Sequence, residues 1–329
     1  MIRHDLVLIG ASAGGIEVLR RLVADLPDDL PAAVLICVHI PEDAPGALPS
    51  ILSRAGGLKA AFAEHGEALV NGTIRIAPPG RHLLVHDGHV VLSRGPRENG
   101  HRPSIDVLFR SAAVAFGSRC IGVIMSGALD DGVAGLRAIK RRNGLAVVQD
   151  PHDALYRSMP ERALGHVEVD AVEPADGLSL VIKHLVHEPA VEDPPPAPPE
   201  MLYEVQIAEA DMDSIHGDEK PGEPSVFGCP ECGGVLWEVN DEGLLRYRCR
   251  TGHAWSSDSL LVEQNTSLEA ALWSALRALE EKAALCRGLA ERAKQQQRML
   301  TADQFLTRAH EAEQGAEVIR DVIAQREQE

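Results

Sequence analysis

The sequence predicts an α/β fold: a doubly wound, mainly parallel sheet with helices on both faces, followed by a small cysteine-containing ribbon and an α-helical hairpin. Three observations predict it. From residue 6 to about 187, short Val- and Ile-rich runs of strand length alternate with helix-length amphipathic segments. Two closely spaced pairs of Cys and His lie near residue 240, and leucines at 268, 272, 276 and 279 recur at helical spacing. A chain of 329 residues also exceeds the usual length of one domain.

The strand candidates, in order, are LVLIGA, AAVLICVH, TIRIA, HLLVHDGHVVL, CIGVIMSG, LAVVQD and HVEVDAV. Each is apolar enough to lie between two helical layers. HLLVHDGHVVL differs, because Asp87-Gly88 between two apolar runs reads as a β-hairpin inserted in the domain. The helical segments between strands include GGIEVLRRLVADL, SIDVLFRSAAVAFG and GVAGLRAIKRRNG. Residues 188–224 are rich in proline and acid and poor in large apolar groups, so they are expected to form a flexible linker. The expected division is therefore an α/β domain over 1–187, the linker over 188–224, the cysteine module over 225–257 and the hairpin over 258–329. Thr301-x-x-Gln304 reads as a capping box opening the second helix of that hairpin, with Phe305, Ala309, Ala312, Ala316 and Ile319 on one face.

Charge and composition exclude several classes. A net charge of −17 argues against nucleic acid as the main partner, since phosphate binding draws on basic patches. No run of eighteen apolar residues is present, so no membrane insertion is expected. The N-terminal stretch is too short and wrongly flanked for a signal peptide, and the cysteines form no regular framework; both fit the cytoplasm.

The stretch VLIGASAGGIEVLRRL raises the first question of chemistry. A dinucleotide fingerprint starting at Gly10 needs glycine at 12, where Ser12 stands. A short-chain dehydrogenase pattern needs glycine at 16, where Ile16 stands, and a P-loop needs Gly-Lys-Ser/Thr, which is missing. Gly10-Ala11-Ser12-Ala13-Gly14 does match G-x-S-x-G, whose small residues let a serine sit on a sharp strand-to-helix turn. A serine hydroxyl needs a base, and the base an orienting carboxylate.

His39 ends the run AAVLICVH, and Asp131 follows CIGVIMSGALDDG. Both positions fall at the carboxyl edge of a parallel sheet, where open α/β folds bind ligands. Alone, His39 could be a surface or hydrogen-bonded core histidine and Asp131 a helix N-cap; together with Ser12 they make a candidate triad.

These residues carry a resemblance. The span from about 4 to 185 resembles the catalytic domain of the chemotaxis protein-glutamate methylesterases, through IGASAGG, VHIPEDAPGALPSILSR, IRIAPPGRHLLV, HRPSIDVLFRSAA, MSGALDDGVAGLRAIK and VVQDPHDALYRSMPERAL. The resemblance implies a doubly wound α/β esterase acting on methylated receptor glutamates, with glutamine deamidation in some members. It implies Ser12 as nucleophile, His39 as general base then acid, Asp131 as the orienting carboxylate, and the amides of Ala13 and Ala128 as the oxyanion hole. Arg102, in the HRPS block, would contact the acidic product or peptide, or serve as a solvated or structural arginine. Members commonly read Gly-Met-Gly-x-Asp-Gly where this chain has Gly127-Ala128-Leu129-Asp130-Asp131-Gly132, so Leu129 replaces a glycine and Asp130 adds a carboxylate. Members usually carry an N-terminal phosphoacceptor receiver, whereas the esterase pattern here starts at residue 5, implying a stand-alone enzyme.

Cys229-x2-Cys232 and Cys249-x3-His253 place two ligands on each of two tight turns, which suits a tetrahedral structural Zn2+ more than a redox-active CxxC. A module this short scarcely folds without such a staple. Two functions follow: a cytoplasmic serine esterase whose substrate is a methylated signalling protein, or a catalytically weak esterase-like domain that works as an interaction module through its ribbon and helices, with a protein partner for the C-terminal helices.

Overall fold

A computed structural model describes residues 2–43, 46–210, 222–241 and 243–326. They fall into two compact units, Met1–Leu260 and Leu261–Glu329. The first unit is built on a seven-stranded sheet whose strands are β1 (Leu6–Ala11), β2 (Ala33–Val38), β3 (Lys59–Phe62), β4 (Thr73–Ile76), β7 (Cys120–Ile124), β8 (Leu145–Gln149) and β9 (Ala171–Glu173). Their order is β3-β4-β2-β1-β7-β8-β9, and every neighbouring pair is parallel. The intervening β5 (His82–His86) and β6 (His89–Ser93) form the separate hairpin expected at Asp87-Gly88, with both turn residues at positive φ.

Alternation along the central strands sends Leu6 and Leu8 into one core and Val7 and Ile9 into the other. The first core is closed by α3 (Ile105–Phe116), α4 (Val133–Arg141) and α5 (Ser158–His166), the second by α1 (Gly15–Asp25), α2 (Leu48–Ala55) and α6 (Ala175–Leu185). Both faces are thus covered, which is why these strands are apolar throughout. β3 is the strand the sequence did not signal. It lies at the sheet edge, and its KAAF alternates between exposed and half-buried positions with only alanine and phenylalanine to pack.

The expected linker is partly a helix. Pro199–Ala208 forms α7, with Pro at its first turn and Met201, Glu204, Val205, Ile207 and Ala208 buried. The flexible-linker expectation is therefore corrected there; residues 211–221 of the same segment lie outside the described residues. The reason is in Glu204, which is 7% exposed and accepts from Arg246 and Arg248 of the ribbon (2.9 Å each) and from Arg110 of α3 (3.0 Å). Glu98 completes the network, bonding Arg110 (2.8 Å) and Arg248 (3.0 Å). Glu204→Ala would leave the buried Arg110 and Arg248 sharing Glu98, and Arg246 with only Asp241 at 3.9 Å. It is expected to destabilise the first unit by about 3–5 kcal/mol, measured by thermal or denaturant unfolding; a loss below about 1 kcal/mol would mean that solvent already screens the network.

The ribbon comprises the antiparallel strands β10 (Glu223–Gly228), β11 (Val235–Asp241), β12 (Leu244–Cys249) and β13 (Ala254–Ser256). α8 (Ser257–Gln295) leads into the second unit, where it is followed by α9 (Met299–Arg326). Leu276 packs with Ala316 and Ile323, and the ion pairs Arg287–Glu313 and Arg320–Glu280 join the two helices. The second helix starts two residues before Thr301, because the chain reverses at Gln297, which adopts a left-handed φ of 59°. Thr301 is therefore inside the helix, and the capping-box expectation is corrected.

Candidate active site and metal centre

Ser12 immediately follows β1, and its amide donates to the carbonyl of Ser126 (3.0 Å). Gly14, at φ 74°, turns the chain into α1; a Cβ there would meet the Ser126 hydroxyl at 2.8 Å, so the glycine of G-x-S-x-G is a steric requirement. His39 follows β2 and Asp131 lies in the loop between β7 and α4. Since β2 and β7 flank β1, the three side chains meet at one carboxyl edge of the sheet.

Their geometry is a continuous hydrogen-bonded chain. Ser12 Oγ lies 3.1 Å from His39 Nδ1, and His39 Nε2 lies 2.7 Å from Asp131 Oδ2. The carboxylate selects the tautomer: Nε2–H donates to Asp131, which leaves the Nδ1 lone pair to accept the serine proton. The His39 and Asp131 side chains are 7% and 2% exposed, so this pair works at low dielectric.

Asp131 is not the N-cap of α4, whose cap is Gly132 with no side-chain bond. It instead receives the first amides of α3, from Ile105 (2.7 Å) and Asp106 (3.4 Å), together with Ser104 Oγ (2.8 Å) and Asn99 Nδ2 (2.9 Å). Burial works to raise its pKa, but the hydrogen bond and charge of His39 and the Asn99 amide hold it well below the usual carboxylate range. Asp106 answers from the other side by accepting from Gly132 and Gly135 at the start of α4 (3.0 and 2.6 Å); burial and the neighbouring Asp131 push its own pKa up.

His101 stacks on His39 with ring centroids 3.6 Å apart and planes at 14°. Burial, and then repulsion from His39, lower its pKa to about 4, so at neutral pH an uncharged ring lies against the imidazole that must become cationic. Sequence reasoning missed His101, Asn99 and Ser104, although His101 and Ser104 are the first and last residues of the HRPS block from which it singled out Arg102, and Asn99 lies two residues before it. Arg102 lines a cleft of about 350 Å³ beside His39. It donates to the carbonyls of Arg94 (3.3 Å) and Gly95 (3.1 Å) and sits 3.6 Å from Glu42, so it is already part of the cleft wall.

The two departures at 129 and 130 have different outcomes. Leu129 adopts φ 59°, the left-handed conformation that glycine takes without strain, so the backbone at this position is one that favours glycine. Asp130 accepts a hydrogen bond from Ser256 Oγ of the ribbon at 2.6 Å, and burial raises its pKa to about 6. For the oxyanion hole, the nearby amides of Ser12 and Gly127 are engaged by the carbonyls of Ser126 and Tyr156.

Cys229, Cys232, Cys249 and His253 bring their ligand atoms within 4.8 Å of one another. Cys232 Sγ lies 3.7 Å from Cys249 Sγ, and His253 Nδ1 lies 3.7 and 3.5 Å from the Sγ atoms of Cys229 and Cys249. A tetrahedron with metal–sulfur bonds of about 2.3 Å has edges of about 3.8 Å, so these three spacings are those of a four-ligand metal site. Among the described residues no helix is long and apolar enough to cross a membrane.

The comparisons bear on the family and the fold. Residues 7–182 match the family model described as CheB methylesterase. A protein of Leptospira interrogans named as a protein-glutamate methylesterase/protein-glutamine glutaminase is 39% identical over 172 residues, covering 52% of this chain and 89% of that one. The protein-glutamate methylesterase FrzG of Myxococcus xanthus is 39% identical over 162 residues, 49% of this chain and 48% of its own. The crystal structure of the Thermotoga maritima CheB methylesterase catalytic domain superposes with a TM-score of 0.53 at 29% identity, covering 56% of this chain and all of that one. With residues 7–182, more than half of the chain, matching that model, the chain belongs to the CheB methylesterase family.

Proposed function

We propose that the protein hydrolyses γ-methyl esters of glutamate on a signalling protein, through an acyl-enzyme at Ser12. The single observation that carries this reading is the Ser12–His39–Asp131 hydrogen-bonded chain. Ser12 Oγ attacks the ester carbonyl while His39 Nδ1 takes its proton; the imidazolium then protonates the departing methoxide, and methanol leaves. Water, deprotonated by His39, attacks the acyl-enzyme and frees the glutamate carboxylate and Ser12. The amides of Ala13 and Ala128 receive the oxyanion, and the same steps on a carboxamide would release ammonia in place of methanol. Arg97 and Arg102 line the cleft on either side of Glu42, 3.3 and 3.6 Å from it, and an acidic peptide would compete with Glu42 for these guanidiniums. The substrate is a methylated receptor-like helix, reached in the cytoplasm.

The four-ligand cluster holds a structural Zn2+, since four protein donors leave no open position for chemistry. Metal analysis of protein purified without chelators is expected to give about one zinc per chain, and its absence would remove this assignment. The domain reading is an esterase over 1–187 and a ribbon over 225–257, with the C-terminal helical hairpin available to a protein partner.

The test is methanol release from a methylated receptor fragment, combined with labelling by a fluorophosphonate. Methanol and a single adduct on Ser12 by mass spectrometry are expected. A folded protein that releases no methanol from several methylated receptors and takes no adduct would favour the interaction-module reading.

A further inference from the structure

The ribbon meets the active site at Asn99. Asn99, 8% exposed, lies in the loop between β6 and α3, and its two amide atoms face opposite ways. Nδ2 donates to Asp131 Oδ1 (2.9 Å) and Asp106 Oδ2 (3.0 Å). Oδ1 accepts from the Ser256 amide (2.8 Å) and the Ser259 hydroxyl (3.0 Å). A flipped amide would aim its oxygen at two carboxylates and its NH2 at a backbone N–H, so the ribbon edge selects the orientation that serves the triad.

The backbone is pinned as well. The Asn99 amide donates to the Ala254 carbonyl (2.7 Å), and the Ala254 amide donates to Arg97 O (3.2 Å). Ala254 directly follows the metal ligand His253. On the far side of the triad carboxylate, Ser256 Oγ holds Asp130. Two residues beyond Asn99 comes His101, stacked on His39. The triad carboxylate is therefore reached from the ribbon through Asn99 and through Asp130, and the triad imidazole through the same loop. The ribbon lies outside the span that matches the esterase family.

We propose that the ribbon is a working part of the esterase, in which Asn99 is a positioning residue set by Ala254, Ser256 and Ser259, so that the folded state of the Cys229–His253 module governs how Asp131 and His39 are held. This rests on the hydrolase reading of Ser12, His39 and Asp131. An independently folding ribbon that merely rests on the domain would make the same contacts without coupling.

The experiment compares full-length zinc-loaded protein, the same protein stripped by a strong chelator, and Asn99→Ala in both states. It reads kcat and KM for p-nitrophenyl acetate, and amide hydrogen exchange along the chain. Stripping is expected to lower wild-type kcat about tenfold with KM changed less than about threefold, reversibly on adding zinc, because small displacements of a catalytic group cost about that much or more. Asn99→Ala is expected to show the same loss, with little further loss on stripping, since both act through one contact. Ser259→Ala, which removes one of the two donors to Asn99 Oδ1 together with the hydroxyl's bonds to Ser256 and leaves the metal ligands intact, should lose about threefold and serves if Asn99→Ala does not fold. Exchange protection at 97–101 should fall on stripping while α1 stays protected.

Fast exchange in the ribbon with unchanged protection at 97–101 and kcat within about twofold would overturn the proposal, as would additive losses in the Asn99 variant. A wild-type protein that does not hydrolyse the ester sinks the hydrolase reading, and the exchange comparison then decides the coupling: lost protection at 97–101 supports it and retained protection overturns it.

Discussion

Ser12→Ala is expected to lower turnover of a methylated receptor fragment by about 10⁴–10⁶, to the level left by binding and the oxyanion amides alone. The Ser12 hydroxyl makes a single side-chain hydrogen bond, to His39 Nδ1 at 3.1 Å, so its removal costs folding stability no more than about 1 kcal/mol. A large kinetic loss with a small stability loss is the signature of a nucleophile. The neighbouring Ser126 cannot substitute, because its Oγ donates to Ala13 O (2.8 Å) and accepts from the Tyr156 amide (3.0 Å). The measurement is methanol release beside thermal unfolding of both proteins. An alanine variant that turns over like the wild type would remove the serine from the mechanism and, with it, the meaning of the His39 geometry.

The parts of the site that could be read from the sequence are those that strand ends deliver. Ser12 and His39 directly follow apolar runs, and Asp131 follows one by a short loop, so a parallel sheet brings them to one edge whatever the details of packing. The cysteine cluster was legible for a similar reason, since paired short spacings fix ligands on turns. Asn99 and His101 had no such signal. They sit in a loop, their triad partners Asp131 and His39 are 32 and 62 residues away along the chain, and nothing periodic marks them. Glu204 was hidden differently: its segment reads as acidic and proline-rich, and only the guanidiniums of Arg110, Arg246 and Arg248 make a buried glutamate there stable. Asp130 stood out as a departure from its family's pattern, and its hydrogen-bond partner Ser256 explains what the extra carboxylate does. For Asn99, Asp130 and Glu204 a deciding contact lies between the esterase and a segment that sequence reasoning treated as separate, whereas His101 and Ser104 meet the triad within the esterase itself.

Asp131→Asn is expected to lower kcat by about 10⁴, some 5 kcal/mol of transition-state stabilisation, with KM little changed. The carboxylate accepts five hydrogen bonds across its two oxygens, from His39 and Ile105 on Oδ2 and from Asn99, Ser104 and Asp106 on Oδ1. An asparagine offers one acceptor oxygen, so its NH2 must face donors on one side. Turned toward His39, the NH2 would oppose the Ile105 amide and donate to Nε2, driving the ring proton to Nδ1, where it faces Ser12 and removes the base. Turned toward Asn99, it would set two NH2 groups together and displace the amide that the ribbon orients. Either way the negative charge that stabilises the imidazolium is gone. A stability loss of about 1–3 kcal/mol should accompany the kinetic one, from the buried donor left without a partner. Because Asn99 can satisfy only one of the two arrangements, pairing Asp131→Asn with Asn99→Ala should recover part of that stability while leaving kcat depressed. Full activity in a folded Asp131→Asn protein would mean that His39 is oriented by its stack on His101 alone, and that the carboxylate serves the fold of α3 rather than the chemistry.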